Sequence, residues 1–311
     1  MPKPTKMIEV AKAANVSPMT VSRALRPGGQ VSPETRARIL KVAGELGYVL
    51  DQTASGLRSQ RTGFVAVTIP SINNANFADT LRGMTEVLRE TKLQILLGTT
   101  NYDDDEEERL IASMLRRRPE ALVVTGGVHT NATRAMLRAA AVPVVETWDL
   151  PSEPLGHVVG FSNAAAGRLM AHHLIAQGYR RIGFIGGDDS RDTRGLDRRR
   201  GFLAALAEQG LAADRLVAGG PPPVSMREGA ISMKQMLDRW PDTQAVMCVS
   251  DLSAFGALCE CQRLGIAVPG QIAIGGFGDY DIAQNSVPTM TTIDVSSNLI
   301  GQMAAQTVID L

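Results

Sequence analysis

The 311-residue sequence predicts a small all-α headpiece with a helix-turn-helix, followed by an α/β core of two doubly wound parallel-sheet lobes. Three observations carry this prediction. Two Ser-Pro helix starts fall close together near the N-terminus, strand-helix alternation runs through the rest of the chain twice, and charge is divided unequally between the two parts.

In the headpiece, Ser17 is an N-cap and Pro18 takes the first helical position, where a missing N–H costs nothing. Ala11 and Ala14 let the preceding helix come close, Asn15 suits the turn, and Val21 and Leu25 repeat at i, i+4 as a buried face. Pro18, Met19, Thr20, Ser22 and Arg23 are left facing outward. Short hydroxyls, a Met and an Arg on an exposed N-terminal helix face are what a major groove accepts. Ser32-Pro33-Glu34-Thr35 repeats the cap, and Ile39, Leu40, Val42, Ala43 and Leu46 give a third helix its apolar face before Gly47 ends it. Up to Arg61 there are ten Lys/Arg against four acids, a net +6, and the remainder carries 22 bases against 28 acids. Neutrality overall thus conceals a basic head on an acidic body, the partition that phosphate contacts need.

From Thr62 the pattern becomes buried strands alternating with helices. Gly63-Phe64-Val65-Ala66-Val67-Thr68-Ile69 precedes a helix containing Leu81-Arg82-Gly83. Ile182-Gly183-Phe184-Ile185-Gly186 repeats that strand ahead of a helix expected to open at Arg200-Gly201-Phe202. Ala121 to Val124 pairs with Ala245 to Val249, and Pro143 to Glu146 with Ile272 to Gly275. Offsets of 120, 118 and 124 residues relate the first three pairs. An internal repeat of buried strands means two parallel sheets, and a ligand between them would meet residues just after strand ends.

At 44% hydrophobic the chain can bury these cores, and 311 residues are too many for one. No apolar run approaches a membrane span and the N-terminus is polar and basic, so a cytoplasmic location is expected. Cys248, Cys259 and Cys261 are odd in number and lack metal-site spacing, so they read as reduced thiols with no disulfide. Asp103 to Glu108 reads as an acidic helix start, and His172-His173 as surface or packing residues. The glycines from Gly183 to Gly187 fail dinucleotide spacing. No metal or cofactor is expected. Trp148 is a candidate cleft residue, and Trp240 a packing one.

The run Ile8-Glu9-Val10-Ala11, Val16-Ser17, Thr20-Val21-Ser22-Arg23, Val31-Ser32, Thr35-Arg36 and Leu46-Gly47-Tyr48 resembles the lactose-repressor/purine-repressor family of bacterial regulators. The likeness extends along the whole chain. It implies a headpiece over 1–49, a hinge over 50–61 and an effector-binding core over 62–311, with lobes of about 62–163 plus 293–311 and about 164–292. It also implies a core like that of periplasmic sugar-binding proteins, and a further strand after the helix Ile300 to Leu311. The implied DNA contacts are Pro18, Met19 and Arg23 on base edges, Thr20 and Ser22 on phosphates, with Thr5, Lys6, Ser17 and, in the hinge, Ala54. Leu57 would wedge into the minor groove. The implied partners are a palindromic operator duplex, a small-molecule effector and a second copy of the chain, with no membrane.

Effector residues follow from strand ends together with the resemblance. Arg198 falls where the family's effector-binding Arg lies, and Asp149 matches a hydroxyl-binding Asp. Ser71, Asn74 and Phe77 follow the first strand, Ser250 and Asp251 follow Val249, and Asp279 follows Gly276-Phe277-Gly278. Gly278 departs from the family, many members of which carry an Asp there. Val224 stands where members that bind nucleobases or galactosides stack a ring, which disfavours a planar ligand. Val159-Gly160-Phe161 with Asn163, Cys261-Gln262-Arg263-Leu264-Gly265, Phe77-Ala78 with Leu81-Arg82-Gly83, and Asp281-Ile282 resemble the gluconate-utilisation repressors. One Arg, several hydroxyl-binding groups and no ring platform suit a sugar acid, gluconate or keto-gluconate. A neutral sugar or other small metabolite is the alternative. A sugar-acid enzyme on this scaffold is more distant, because no base is paired with a nucleophile and no metal spacing or phosphate loop is present. A secreted solute-binding protein is opposed by the basic headpiece.

Overall fold

A computed structural model describes residues 5–26, 28–49 and 62–311, and the chain divides into two compact units between Thr62 and Gly63. The expected hinge, with Ala54 and Leu57, lies outside the described residues.

Among the described residues the first unit has three helices, α1 (Met7–Ala13), α2 (Pro18–Ala24) and α3 (Pro33–Glu45). Both Ser-Pro starts form as the sequence dictates: Ser17 Oγ accepts from Thr20 N–H at 3.2 Å and Ser32 Oγ from Thr35 N–H at 3.3 Å. Asn15 makes the turn between α1 and α2 with φ of 51°. The core is built mostly from small side chains, Ala11, Ala14, Ala24 and Ala43 around Val10, Val21 and Ile39. Alanines bring the helices so close that α3 needs only a narrow stripe, and Leu40 and Leu46, expected on its buried face, are 51% and 40% exposed. The Arg36 guanidinium turns inward and donates to the carbonyls of Ala24, Arg26 and Gly29.

The second unit contains two all-parallel sheets. In the first lobe β1 (Phe64–Ile69), α4 (Ala75–Leu88), β2 (Gln94–Thr99), α5 (Asp104–Arg116), β3 (Ala121–Thr125), α6 (Asn131–Ala139), β4 (Val144–Thr147) and β5 (His157–Val159) form a sheet of order β2-β1-β3-β4-β5. The second lobe has α7 (Asn163–Ala176), β6 (Ile182–Ile185), α8 (Thr193–Glu208), β7 (Leu216–Val217), α9 (Met226–Arg239), β8 (Ala245–Cys248), α10 (Asp251–Arg263), β9 (Ala273–Gly275) and α11 (Asp281–Asn285). Its strand order is β7-β6-β8-β9. The last helix, α12 (Ser297–Asp310), returns to pack on α4, β4 and β5 of the first lobe. Central strands such as β3 and β6 are covered on both faces, which is why they read as unbroken apolar runs.

Three helix pairs approach to backbone contact, and in each pair both helices contribute a glycine. An added Cβ at Gly167 of α7 would lie 1.9 Å from the Arg198 carbonyl oxygen, and one at Gly201 of α8 would lie 1.9 Å from that of Ala164. Gly83 and Gly301 stand in the same relation between α4 and α12, and Gly229 and Gly256 between α9 and α10. The start of α8 corrects the sequence reading. It begins at Thr193 with Asp192 as N-cap, not at Arg200, and Arg194 and Arg198 in its first two turns are buried against the cleft.

Among the described residues no helix is long and apolar enough to cross a membrane, and no group of His, Cys, Asp and Glu is arranged to hold a metal ion. Cys248 and Cys261 are buried free thiols, and burial pushes the Cys261 thiol up to about 11. Cys259 is half-buried and also free.

Because Gly201 meets backbone, no side-chain rotation relieves an added methyl there. Gly201→Ala is expected to lower the unfolding free energy by about 1–3 kcal/mol, read as an earlier urea midpoint, with an unchanged far-ultraviolet spectrum.

Candidate functional site

The carboxyl ends of both sheets open on one cleft, where loops from the two lobes meet. Its lining includes Asn74, Asn76, Phe77, Tyr102 and Trp148 from the first lobe and Asp192, Arg194, Arg198, Val224, Ser250, Phe277 and Tyr280 from the second. The cavity is small, about 40 Å³, room for about three water molecules.

Arg198 lies in the second turn of α8, held by the Gly167–Gly201 crossing. Its side chain is 10% exposed, Nη1 donates to Asn163 Oδ1 at 2.7 Å, and the guanidinium carbon stands 4.2 Å from the centroid of Phe277. Its Nε is buried with no hydrogen-bond partner. Burial pulls this guanidinium down from its ordinary value, the negative charge of Asp192 pulls it back up, and neighbouring Arg194 adds to the depression. Asn163 in turn donates to the Trp148 carbonyl at 3.0 Å, tying the Arg to the loop after β4. Tyr102 and Tyr280 bring phenols to the same space. Burial, aided by Asp192, pushes Tyr102 up to about 12, and burial raises Tyr280 further, so both remain hydrogen-bond donors at neutral pH. Tyr280 Oη donates to Asn74 Oδ1 at 2.7 Å and so bridges the lobes.

Of the residues singled out in the sequence, Asn74, Phe77, Arg198 and Ser250 come together here, with Trp148 and Val224 beside them. Four others are turned elsewhere. Ser71 Oγ accepts from Asn73 N–H at 3.1 Å within its own turn, and Asp149 Oδ1 from Leu150 N–H at 2.9 Å. Asp251 is fully buried inside its lobe, accepting from Tyr280 N–H at 2.8 Å and Thr292 Oγ1 at 2.7 Å. Asp279 accepts from Gln284 Nε2 at 3.2 Å. The departure at Gly278 has a steric reason, since an added Cβ would lie 2.3 Å from Tyr280 Cε1 and 2.8 Å from Asn76 Nδ2. The Tyr280 ring takes the space an acid would need. Val224 puts an aliphatic side chain in the lining as read, and rings of Phe77, Tyr102, Trp148, Phe277 and Tyr280 stand around it.

Sequence reasoning missed Tyr102, Asp192, Arg194 and Tyr280. A signal for Arg194 existed, because it precedes Arg198 by four residues and shares its helix face, but placing the helix start at Arg200 hid the spacing.

On the headpiece, Pro18, Met19 and Arg23 are exposed, with Met19 at 54%, whereas Thr20 and Ser22 are half-buried. Lys6 is exposed at the α1 N-cap, with its N–H donating to Glu9 Oε2 at 2.6 Å. Ser17 Oγ is engaged by the cap and by Thr20 Oγ1 at 2.9 Å, and Thr5 Oγ1 donates to the Leu46 carbonyl at 2.8 Å.

A helix-turn-helix unit with an exposed recognition helix and a two-lobed core with a cleft lined by charged and polar groups, in one chain, are the features of a DNA-binding regulator. Comparison with known proteins gives the family. Residues 6–51 match bacterial regulatory proteins of the lacI family and residues 171–311 match a periplasmic binding protein-like domain. The chain is 38% identical to the HTH-type transcriptional regulator GntR of Pseudomonas aeruginosa, across 97% of this chain and 88% of that one. It is 33% identical to the HTH-type transcriptional regulator IdnR of Escherichia coli K12, across 96% and 89%. A crystal structure of a LacI-family transcriptional regulator from Silicibacter pomeroyi superposes with a TM-score of 0.91 at 38% identity, covering 99% of this chain and 92% of that one. This chain belongs to the lacI family of bacterial regulatory proteins, and it is a DNA-binding transcriptional regulator, not an enzyme.

The buried Asp251 distinguishes a structural carboxylate from a ligand-facing one. Asp251→Ala leaves the Tyr280 N–H and the Thr292 hydroxyl without their acceptor, so urea unfolding is expected to report a loss of about 1–3 kcal/mol.

Proposed function

We propose that this regulator is a repressor whose operator is released when a sugar acid, gluconate or a keto-gluconate, is held between the core lobes. The observation that carries the reading is Arg198, a buried guanidinium in the cleft with an unpartnered Nε, surrounded by phenol and amide groups suited to hydroxyls. The resemblance to gluconate-utilisation repressors supports it. In this reading residues 1–49 read DNA, 50–61 form the hinge, in which Ala54 contacts DNA and Leu57 wedges into the minor groove, and 62–311 hold the effector. Thr20 and Ser22 hold phosphates, Pro18, Met19 and Arg23 meet bases, and Thr5, Lys6 and Ser17 add further DNA contacts.

Calorimetry against gluconate, 2-ketogluconate, glucose and hypoxanthine tests the ligand. Binding of the acids is expected. Binding of glucose or hypoxanthine alone would overturn the sugar-acid class. Arg198→Ala is expected to lose about 2–5 kcal/mol of acid affinity while retaining operator binding, so that it represses without release.

The DNA partner is a palindrome read by two copies of the chain. Two features support a dimer: one headpiece has few base contacts, and α9 and α10 leave an apolar groove of Met226, Ala230, Ile231 and Phe255 on the second lobe. A symmetric duplex with half-sites about one helical turn apart should bind two copies, and a monomer tight on one half-site would count against this. Arg23→Ala should relax preference at one base position by about 1–3 kcal/mol without changing effector affinity.

A further inference from the structure

Three charged side chains line the cleft, and their arrangement bears on which acids it accepts. Arg194 and Arg198 stand one turn apart on α8, and Asp192 caps the same helix. The Asp192 carboxylate does not cap in the usual way. Ser17, Ser32, Asp103, Thr130, Ser162 and Ser225 each accept a backbone N–H from their own helix, whereas Asp192 accepts none. It is 16% exposed and folds back over Gly195, where an added Cβ would lie 2.4 Å from its Oδ2. From there it faces both guanidiniums, at 4.0 Å from Arg194 Nη2 and 3.7 Å from Arg198 Nη2. These separations are longer than a charge-assisted hydrogen bond, so one carboxylate is shared loosely between two cations.

Arg194 also reaches across the cleft. Its guanidinium carbon is 5.8 Å from the centroid of Phe77, and its Nη1 is 2.7 Å from where a Cβ on Gly126, in the loop after β3, would stand. Among the described residues it makes no hydrogen bond. The other charges on the loop after β6 and on α8 are matched outside the lining: Arg191 with Asp189, Arg199 with Asp188, Arg200 with Asp197, and Glu208 with Arg168.

We propose that Asp192 is an internal counter-ion for the Arg194–Arg198 pair, and that it sets the cleft to accept a ligand bearing a single negative charge. This rests on the sugar-acid reading and deepens it. With two guanidiniums and one carboxylate the lining carries one net positive charge, which one ligand carboxylate neutralises in a site screened from water. A linear dicarboxylate of the same length would bring a charge with no partner. Removing the Asp192 charge supplies that partner, whereas removing the Arg194 charge leaves the lining neutral.

Calorimetry with gluconate, the dicarboxylate glucarate and the neutral polyol glucitol tests this on the full chain. Wild type is expected to bind gluconate at least about tenfold more tightly than either of the others. Asp192→Asn, close to isosteric, should shift the glucarate-to-gluconate affinity ratio toward glucarate by about tenfold or more. Arg194→Gln should move gluconate toward glucitol, and it carries the test alone if thermal unfolding shows that Asp192→Asn does not fold. Gluconate binding with both ratios unmoved overturns the role of Asp192 and leaves the sugar-acid reading standing. A wild-type protein that prefers glucitol, or that binds none of the three and no keto-gluconate either, overturns both.

Discussion

Backbone contact between paired helices is the constraint on which the core depends. Each of the three pairs crosses where glycine on either helix lets a carbonyl of its partner occupy the volume of a missing Cβ. Such a crossing admits little sliding, because the obstacle on either side is main chain. For α7 and α8 the consequence is functional, since the carbonyl against Gly167 belongs to Arg198 itself. The guanidiniums of the cleft are thereby aimed by a rigid helix pair and not by a loop, which holds a binding group to tighter tolerance. Between α4 and α12 the same device fastens the last helix of the chain to the first lobe, far away in sequence from the strands it covers.

A positive charge buried this deeply needs several partial compensations, and Arg198 has them from three directions. Asn163 supplies an acceptor, Phe277 a ring face, and Asp192 a charge. None is a full ion pair, and that leaves the guanidinium available to a ligand anion. The same logic separates Asp251 from the residues that face ligand. Its carboxylate is raised by burial and held by Thr292 and the Tyr280 N–H, so it braces the loop 277–280 that presents Tyr280 to the cleft.

Local signals in the sequence were the ones that survived folding. Ser17-Pro18 and Ser32-Pro33 cap as read because an N-cap depends only on the next three residues. The strands were legible because burial on both faces leaves no polar alternation to confuse. The rule that ligands meet strand ends found the right loops, yet it does not tell which way a side chain turns. Ser71, Asp149, Asp251 and Asp279 all follow strands and all bond within their own lobe. Arg194 and Asp192 were hidden for a different reason, since a run of arginines has no apolar periodicity with which to mark the start of a helix. Leu40 and Leu46 were read as core because apolar residues at helical spacing imply a face, but alanines on α1 and α2 left no width for them.

One cation of the headpiece is spent largely on the protein's own backbone. Arg36, counted in the sequence among the basic residues of the DNA-reading part, directs its guanidinium into three carbonyls at the end of α2 and in the turn that follows. These are dipoles of the protein itself, half-buried and poorly screened by mobile ions, unlike a lysine on the surface. The far end of α2 is thus clasped by a contact that rising ionic strength screens less than it screens an exposed ion pair. The shape of the headpiece is thereby less dependent on salt than any contact its exposed cations could make.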